Sequence, residues 1–170
     1  MEDLAITDAE DALAPDLTGA PRPLGALDDA IAALFALPPR MLERPGEPLA
    51  PGITLQFRGE SGLRAGLGGG QGLALTLHDR GESPWFSLEM ALPIAAVRSC
   101  RFLGLRIDGQ CMAGAATLRP VLRLTAEDGW RDAEFGRDLA FTSQAAENLA
   151  LLPLDGVEGR DGALHATLIL

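Results

Sequence analysis

The chain has 170 residues, 47% of them apolar, and a net charge of −10. A domain of this length buries roughly 70% of its extended-chain surface, so it needs no disulfide or metal staple. Residues 1–50 hold ten acids and three arginines, a net of −7 against −3 for the rest, so the clustered positive charge that nucleic acid or an anionic membrane requires is missing.

Residues 1–23 are rich in Ala, Asp, Leu and Pro, with Pro15, Pro21 and Pro23 spaced along them. Such a stretch has little to offset its ordering entropy and is expected to be mobile. Leu24, Leu27, Ile31, Leu34 and Phe35 then recur at helical spacing, with Asp28 and Asp29 in the first turn, where acids suit the helix dipole. Pro38 and Pro39 stop the pattern, which predicts one short amphipathic helix near 24–37. Residues 40–51 read as a proline-rich linker.

Beyond Pro51 the rhythm changes to period two. Ile53, Leu55 and Phe57 alternate with polar neighbours, as do Leu73, Leu75 and Leu77, then Phe86, Leu88, Met90 and Leu92. Leu103, Leu105 and Ile107 follow; Leu118, Leu122 and Leu124 form the next face, then Leu139 with Phe141. The continuously apolar run 149–154 predicts a buried strand, with residues 143–151 the place where a helix competes. Ala166 and Leu168 lie in a last alternating segment. About eight strands result. Asp79-Arg80-Gly81, Asp108-Gly109, Asp128-Gly129 and Asp155-Gly156 supply turns, and Pro120 marks a sheet edge or bulge. The expected fold is all-β, an antiparallel two-sheet, jelly-roll-like sandwich over 51–170. An acidic, proline-rich arm over 1–50 precedes it and carries the helix.

Several composition signals bear on function. All 14 basic residues are arginine, tyrosine is absent, and Asn148 is the one asparagine. A GC-rich, bacterial-type coding sequence is the simplest explanation, and it weakens any argument from abundant Ala, Gly, Pro or Arg. Cys100 and Cys111 make no disulfide framework. No apolar run reaches the roughly 18 residues of a membrane span, and the opening Met-Glu-Asp has no basic stretch, so a soluble, cytoplasmic protein is expected.

No motif reaches a named reaction. The run Gly66-Leu67-Gly68-Gly69-Gly70-Gln71-Gly72 precedes a strand pattern rather than a helix, so it reads as a loop between strands, not a phosphate cradle. His78, His165, Cys100 and Cys111 lack the close spacing of zinc ligands, and no cofactor is implied. If 102–107 pairs with a strand beginning near Ala115, the two cysteines sit at opposite ends of a hairpin. Gly59-Glu60-Ser61-Gly62 is not a nucleophile elbow, and His78 and Asp79 point to opposite strand faces.

Two polar clusters remain. Glu127, Asp128, Asp132, Glu134 and Asp138 surround Trp130; they read as a calcium- or sugar-contacting loop, or more simply as a solvated hairpin. Arg119 and Arg123, about 13 Å apart on one strand, with Arg106 on a neighbour, would line a groove for a carboxylate, phosphate or acidic glycan. The simpler reading pairs them with Glu89 and Asp108. In strand rhythm alone the chain looks like carbohydrate-binding modules, many of which are jelly rolls, and that likeness implies a glycan ligand. The 5% aromatic content argues against a broad sugar-stacking platform.

The favoured role is a non-catalytic ligand-binding module contacting a glycan or anionic small ligand through Trp130, Arg119, Arg123 and Arg106. An assembly subunit, docking a protein partner or another copy through Leu27, Ile31, Leu34 and Phe35, is the alternative. A small glycan-processing enzyme using paired acids comes third.

Overall fold

The computed structural model describes residues 25–58, 64–68, 72–79 and 85–170. The expected mobile arm 1–23, Leu24, the Gly59-Glu60-Ser61-Gly62 turn, Gly69-Gly70-Gln71 and the Arg80-Gly81 turn lie outside the described residues.

The chain is mostly antiparallel β with two short helices among the described residues. In order come α1 (Gly25–Phe35), β1 (Arg40–Leu42), β2 (Glu47–Ala50), β3 (Ile53–Phe57), β4 (Arg64–Gly68), β5 (Ala74–Asp79) and β6 (Phe86–Leu92). Then follow α2 (Ile94–Ser99), β7 (Phe102–Gly109), β8 (Ala116–Leu118), β9 (Val121–Ala126), β10 (Gly129–Glu134), β11 (Leu139–Phe141), β12 (Ala146–Pro153) and β13 (His165–Ile169). Neither helix is long and apolar enough to cross a membrane.

A six-stranded sheet of order β10-β9-β13-β6-β3-β2 forms the largest layer; β1-β4-β5, β11-β8 and β12-β7 are smaller sheets. The last eight strands pair in a nested series: β6 with β13, β7 with β12, β8 with β11, and β9 with β10. Such nesting is what a long hairpin produces when it folds over on itself. Asn148 Nδ2 donates to the Ala140 carbonyl at 3.1 Å, bringing β12 beside β11.

Alternation decides what is buried. Ile53, Leu55 and Phe57 on β3, Met90 and Leu92 on β6, Leu122 and Leu124 on β9, and Ala166 and Leu168 on β13 share the inner face of the large sheet. Leu103, Ala150, Leu152, Leu139 and Phe141, from the smaller sheets, belong to the same apolar cluster. Each fully buried Leu, Ile or Phe contributes roughly 1.5–3 kcal/mol, and this shared core holds the sheets together.

α1 packs beside β2. Ala30 and Leu34 are buried, Leu27 and Ile31 are half-buried against the core, and Phe35 is 40% exposed. The helix therefore covers its own chain with one edge, and Phe35 lies outside that edge. Residues 40–50, read as linker, contain β1 and β2; Leu42, Leu49 and Ala50 join the core. Pro48 is accommodated because β2 is an edge strand with a shifted register, where a missing donor costs little.

Other expectations are corrected. Gly66 and Gly68 lie in β4 rather than in a loop, because pairing with both β1 and β5 supplies the stability that the residues lack. The competing helix over 143–151 is absent: β12 runs from Ala146 to Pro153. The run 149–154 is also not buried throughout, since Leu149 is 47% and Leu151 54% exposed between buried Ala150 and Leu152. Asp108-Gly109 ends β7 rather than making a turn. Gly109 is needed for space there: an added Cβ would lie 3.2 Å from Phe141 Cε1. Pro120 is fully buried and separates β8 from β9, as expected of a residue that cannot donate to a ladder.

Candidate functional site

The outward face of β10-β9-β13 is built by the register. Trp130, Asp132 and Glu134 of β10 stand opposite Thr125, Arg123 and Val121 of β9. On the other side of β9, His165, Thr167 and Ile169 of β13 face the same three positions. Because Leu122, Leu124, Ala166 and Leu168 point inward, these alternating residues must point outward. Three rows result, Trp130–Thr125–His165, Asp132–Arg123–Thr167 and Glu134–Val121–Ile169. Each spans about 10 Å across three strands.

Arg123 organises this face. Its Nε and Nη2 donate to the two carboxylate oxygens of Asp132 at 2.8 and 2.7 Å. The hydrogen bond to Asp132 is the largest cause holding the Arg123 pKa above its ordinary value, opposed by burial and aided by the charges of Asp132 and Glu89. The guanidinium carbon lies 4.4 Å from the Trp130 ring centroid. A cation–π contact at an open site is worth roughly 0.5–1 kcal/mol, so Arg123 steadies the ring without covering all of it. Trp130 remains 62% exposed. It stands within β10 on the edge of the sheet, not at the loop tip expected of it.

The hairpin tip is tied down separately. Arg131 donates to both Asp128 oxygens, at 3.2 and 2.8 Å, and approaches Glu158 at 3.5 Å. Asp128 raises the Arg131 pKa, and Arg131 holds the Asp128 carboxyl below the usual carboxylate range. Gly159 makes room for this arginine: a Cβ there would lie 3.0 Å from Arg131 Cδ, at a φ of +78°.

The arginine groove does not assemble. Arg119 sits in the break between β8 and β9 rather than on one strand with Arg123, and it donates to Asp138 at 3.3 Å. That bond is the main cause raising its pKa. Arg106 lies on β7, in a different sheet, with Glu147 at 2.8 Å and Asp108 at 3.5 Å. Each arginine has a carboxylate partner, as the simpler reading expected; Arg106 meets the expected Asp108, while Arg119 and Arg123 take Asp138 and Asp132. Of the acids around Trp130, Asp132 and Asp138 are taken by Arg123 and Arg119, and Asp128 by Arg131. Among the described residues, no group of three or more His, Cys, Asp or Glu could hold a metal ion.

The cysteine hairpin is also corrected. β7 pairs with β12, not with the strand beginning at Ala116, and Cys100 and Cys111 are free, half-buried thiols packed on the core. His78 lies on β5. Two open depressions occur among the described residues. One, about 380 Å³, is lined by Pro39, Arg40, Met41, Gly66, Gly68, Ala74 and Thr76; the other, about 500 Å³, follows Met41 to Glu47. Neither is lined by a histidine; the second carries Glu43 and Glu47 together with Arg44.

Sequence reasoning missed a second face. Across β7 and β12, Phe102 pairs with Pro153, Gly104 with Leu151, and Arg106 with Leu149, and all point outward. Phe102 is 55% exposed. The signal was present in the unbroken apolar run 149–154, since a strand apolar on both faces has an apolar outer face as well. Comparison with protein-family models, curated proteins and solved structures gives no match.

Proposed function

We propose that the chain is a non-catalytic binding module, a jelly-roll-like sandwich that takes a small oligomeric ligand on the outward face around Trp130. The nested strand pairing and the shared core support the sandwich reading. The observation that carries the binding reading is the Trp130 ring, exposed yet steadied by Arg123 and Asp132. A fixed aromatic face loses little entropy when a ligand stacks on it. Thr125, Thr167 and His165 add hydrogen-bonding groups in the neighbouring positions. Because Asp132 already occupies the guanidinium of Arg123, the face suits neutral glycans better than anionic ones.

The test is a glycan panel read by isothermal titration calorimetry on wild type and Trp130→Ala. A ligand of this face should lose roughly tenfold or more of its affinity in Trp130→Ala. A glycan bound equally well by Trp130→Ala would move the site elsewhere.

A second reading, an assembly subunit, is favoured by the apolar outer face of β7 and β12. The expected docking element was α1, but Leu34 is buried and Leu27 and Ile31 are half-buried on their own chain. The apolar strand face is the better candidate for contact with another chain.

A further inference from the structure

We infer that the outward face of the six-stranded sheet is a track for one extended, uncharged glycan chain, held at one corner by Trp130 and at the opposite corner by Trp85. The inference rests on the glycan reading of the Trp130 face and deepens it, because a second aromatic anchor fixes the length and direction of the ligand. The chain has two tryptophans, and they are 62% and 50% exposed. Tryptophan is on average a well-buried side chain, so two open indoles on one sheet face call for a physical reason.

Alternation puts Trp85 on this face. Met90 and Leu92 of β6 are buried in the core, and Phe86 and Leu88 pack against it from the same side. Ser87, Glu89 and Ala91 therefore point outward, and Trp85, one residue before the strand, continues their series. The register carries the face across to Trp130. Ala91 and Glu89 stand beside Thr167 and Ile169, which stand beside Arg123 and Val121 of β9. Trp130 shares its row with His165, which lies one residue beyond the Ala166–Leu92 pair and so level with Pro93. Trp85 is eight residues back from Pro93, about 26 Å of strand, and β6 lies three strands from β10, about 14 Å. The two rings thus stand about 30 Å apart on a diagonal of the sheet.

What lies between the rings selects the occupant. The diagonal passes Arg123, Thr167, Glu89 and Ser87, and Ser87 Oγ donates to Glu89 at 3.4 Å. Hydroxyl and carboxylate oxygens of this kind are the partners that sugar hydroxyls use. Charge narrows the class: the outward Arg123 stands against Asp132, Glu89 and Glu134, so carboxylates are in excess and a chain of uronic acids or phosphates is repelled. Spacing excludes a globular partner, because the anchors of a protein interface cluster near its centre, whereas these rings hold opposite corners with a mostly polar stretch between them. A linear chain of sugar rings can stack on both indoles and hydrogen-bond along the diagonal. A disaccharide is too short to reach from one ring to the other.

Calorimetric titration with cello-, xylo- and manno-oligosaccharides, each as the disaccharide and the octasaccharide, tests this. In the series that binds, the octasaccharide should bind wild type roughly tenfold or more tighter than the disaccharide, since engaging one ring makes the second contact intramolecular. Trp85→Ala should erase that gain while leaving disaccharide binding at Trp130 intact, which also reports that the variant is folded. Trp85→Phe, which keeps an aromatic ring, should retain part of the gain. Octagalacturonate, the acidic control, should bind more weakly than the neutral chains. An affinity independent of length, a gain that survives Trp85→Ala, or tighter binding of the acidic chain overturns the track. If short chains still lose their affinity in Trp130→Ala, the single-ring reading survives that result. If no probe binds, or binding ignores both tryptophans, both readings fall.

Discussion

Leu151 and Leu152 are adjacent and chemically identical, so replacing each with alanine isolates the effect of strand alternation. Leu152 is 5% exposed and belongs to the shared core; Leu151 is 54% exposed on the opposite face. Truncating leucine to alanine removes three carbons, roughly 2.4 kcal/mol of transfer free energy at about 0.8 kcal/mol per methylene. At Leu152 a cavity term adds to this, so the expected cost is about 2–5 kcal/mol. At Leu151 about half of the side chain is already wet and no cavity forms, so the cost is about 1 kcal/mol or less. The expected gap is thus about 2 kcal/mol, or roughly 4–8 °C in Tm for a chain of this size. Urea unfolding measures both variants. Equal losses would refute the two-faced reading of β12, and the apolar outer stripe with it.

The helix gives a similar contrast: Leu34→Asp should lower the Tm by several degrees, since Leu34 is 3% exposed, whereas Phe35→Asp, at a position 40% exposed, should change it little. A large loss for Phe35→Asp in thermal melts would show that α1 is seated differently. At the hairpin tip, Arg131 depresses the Asp128 pKa, so that interaction is present above the ordinary carboxylate value of about 3.9 and is lost as the pH falls through the lower folded value. Carbon-detected carboxyl titration should find Asp128 titrating at higher pH in Arg131→Ala than in wild type; identical curves would rule out the pair.

The strand rhythm of β3, β6 and β13 was legible because alternation belongs to the extended backbone itself: Ile53, Leu55 and Phe57 report their common face without knowledge of any partner. The helix at α1 and its stop at Pro38 were legible for the same local reason, as was the Asp155-Gly156 turn, where Gly156 takes a φ of +92°. β4 was not, and β10 was foreseen only as the arm of a solvated hairpin at Asp128-Gly129. Arg64–Gly68 is glycine-rich and Gly129–Glu134 is mostly polar, and each becomes a strand only because a neighbour pairs with it. Composition named Trp130 and Arg123 as candidates, but the cross-strand register brought Asp132 to the guanidinium and the ring beneath it. The same tertiary pairing carried Arg106 into another sheet and left Arg119 in a break between strands. Side-chain periodicity is a short-range property that a sequence displays directly. Which strands pair, and which charges then meet, depends on segments far apart in the chain, as with β7 and β12, and only the folded arrangement decides it.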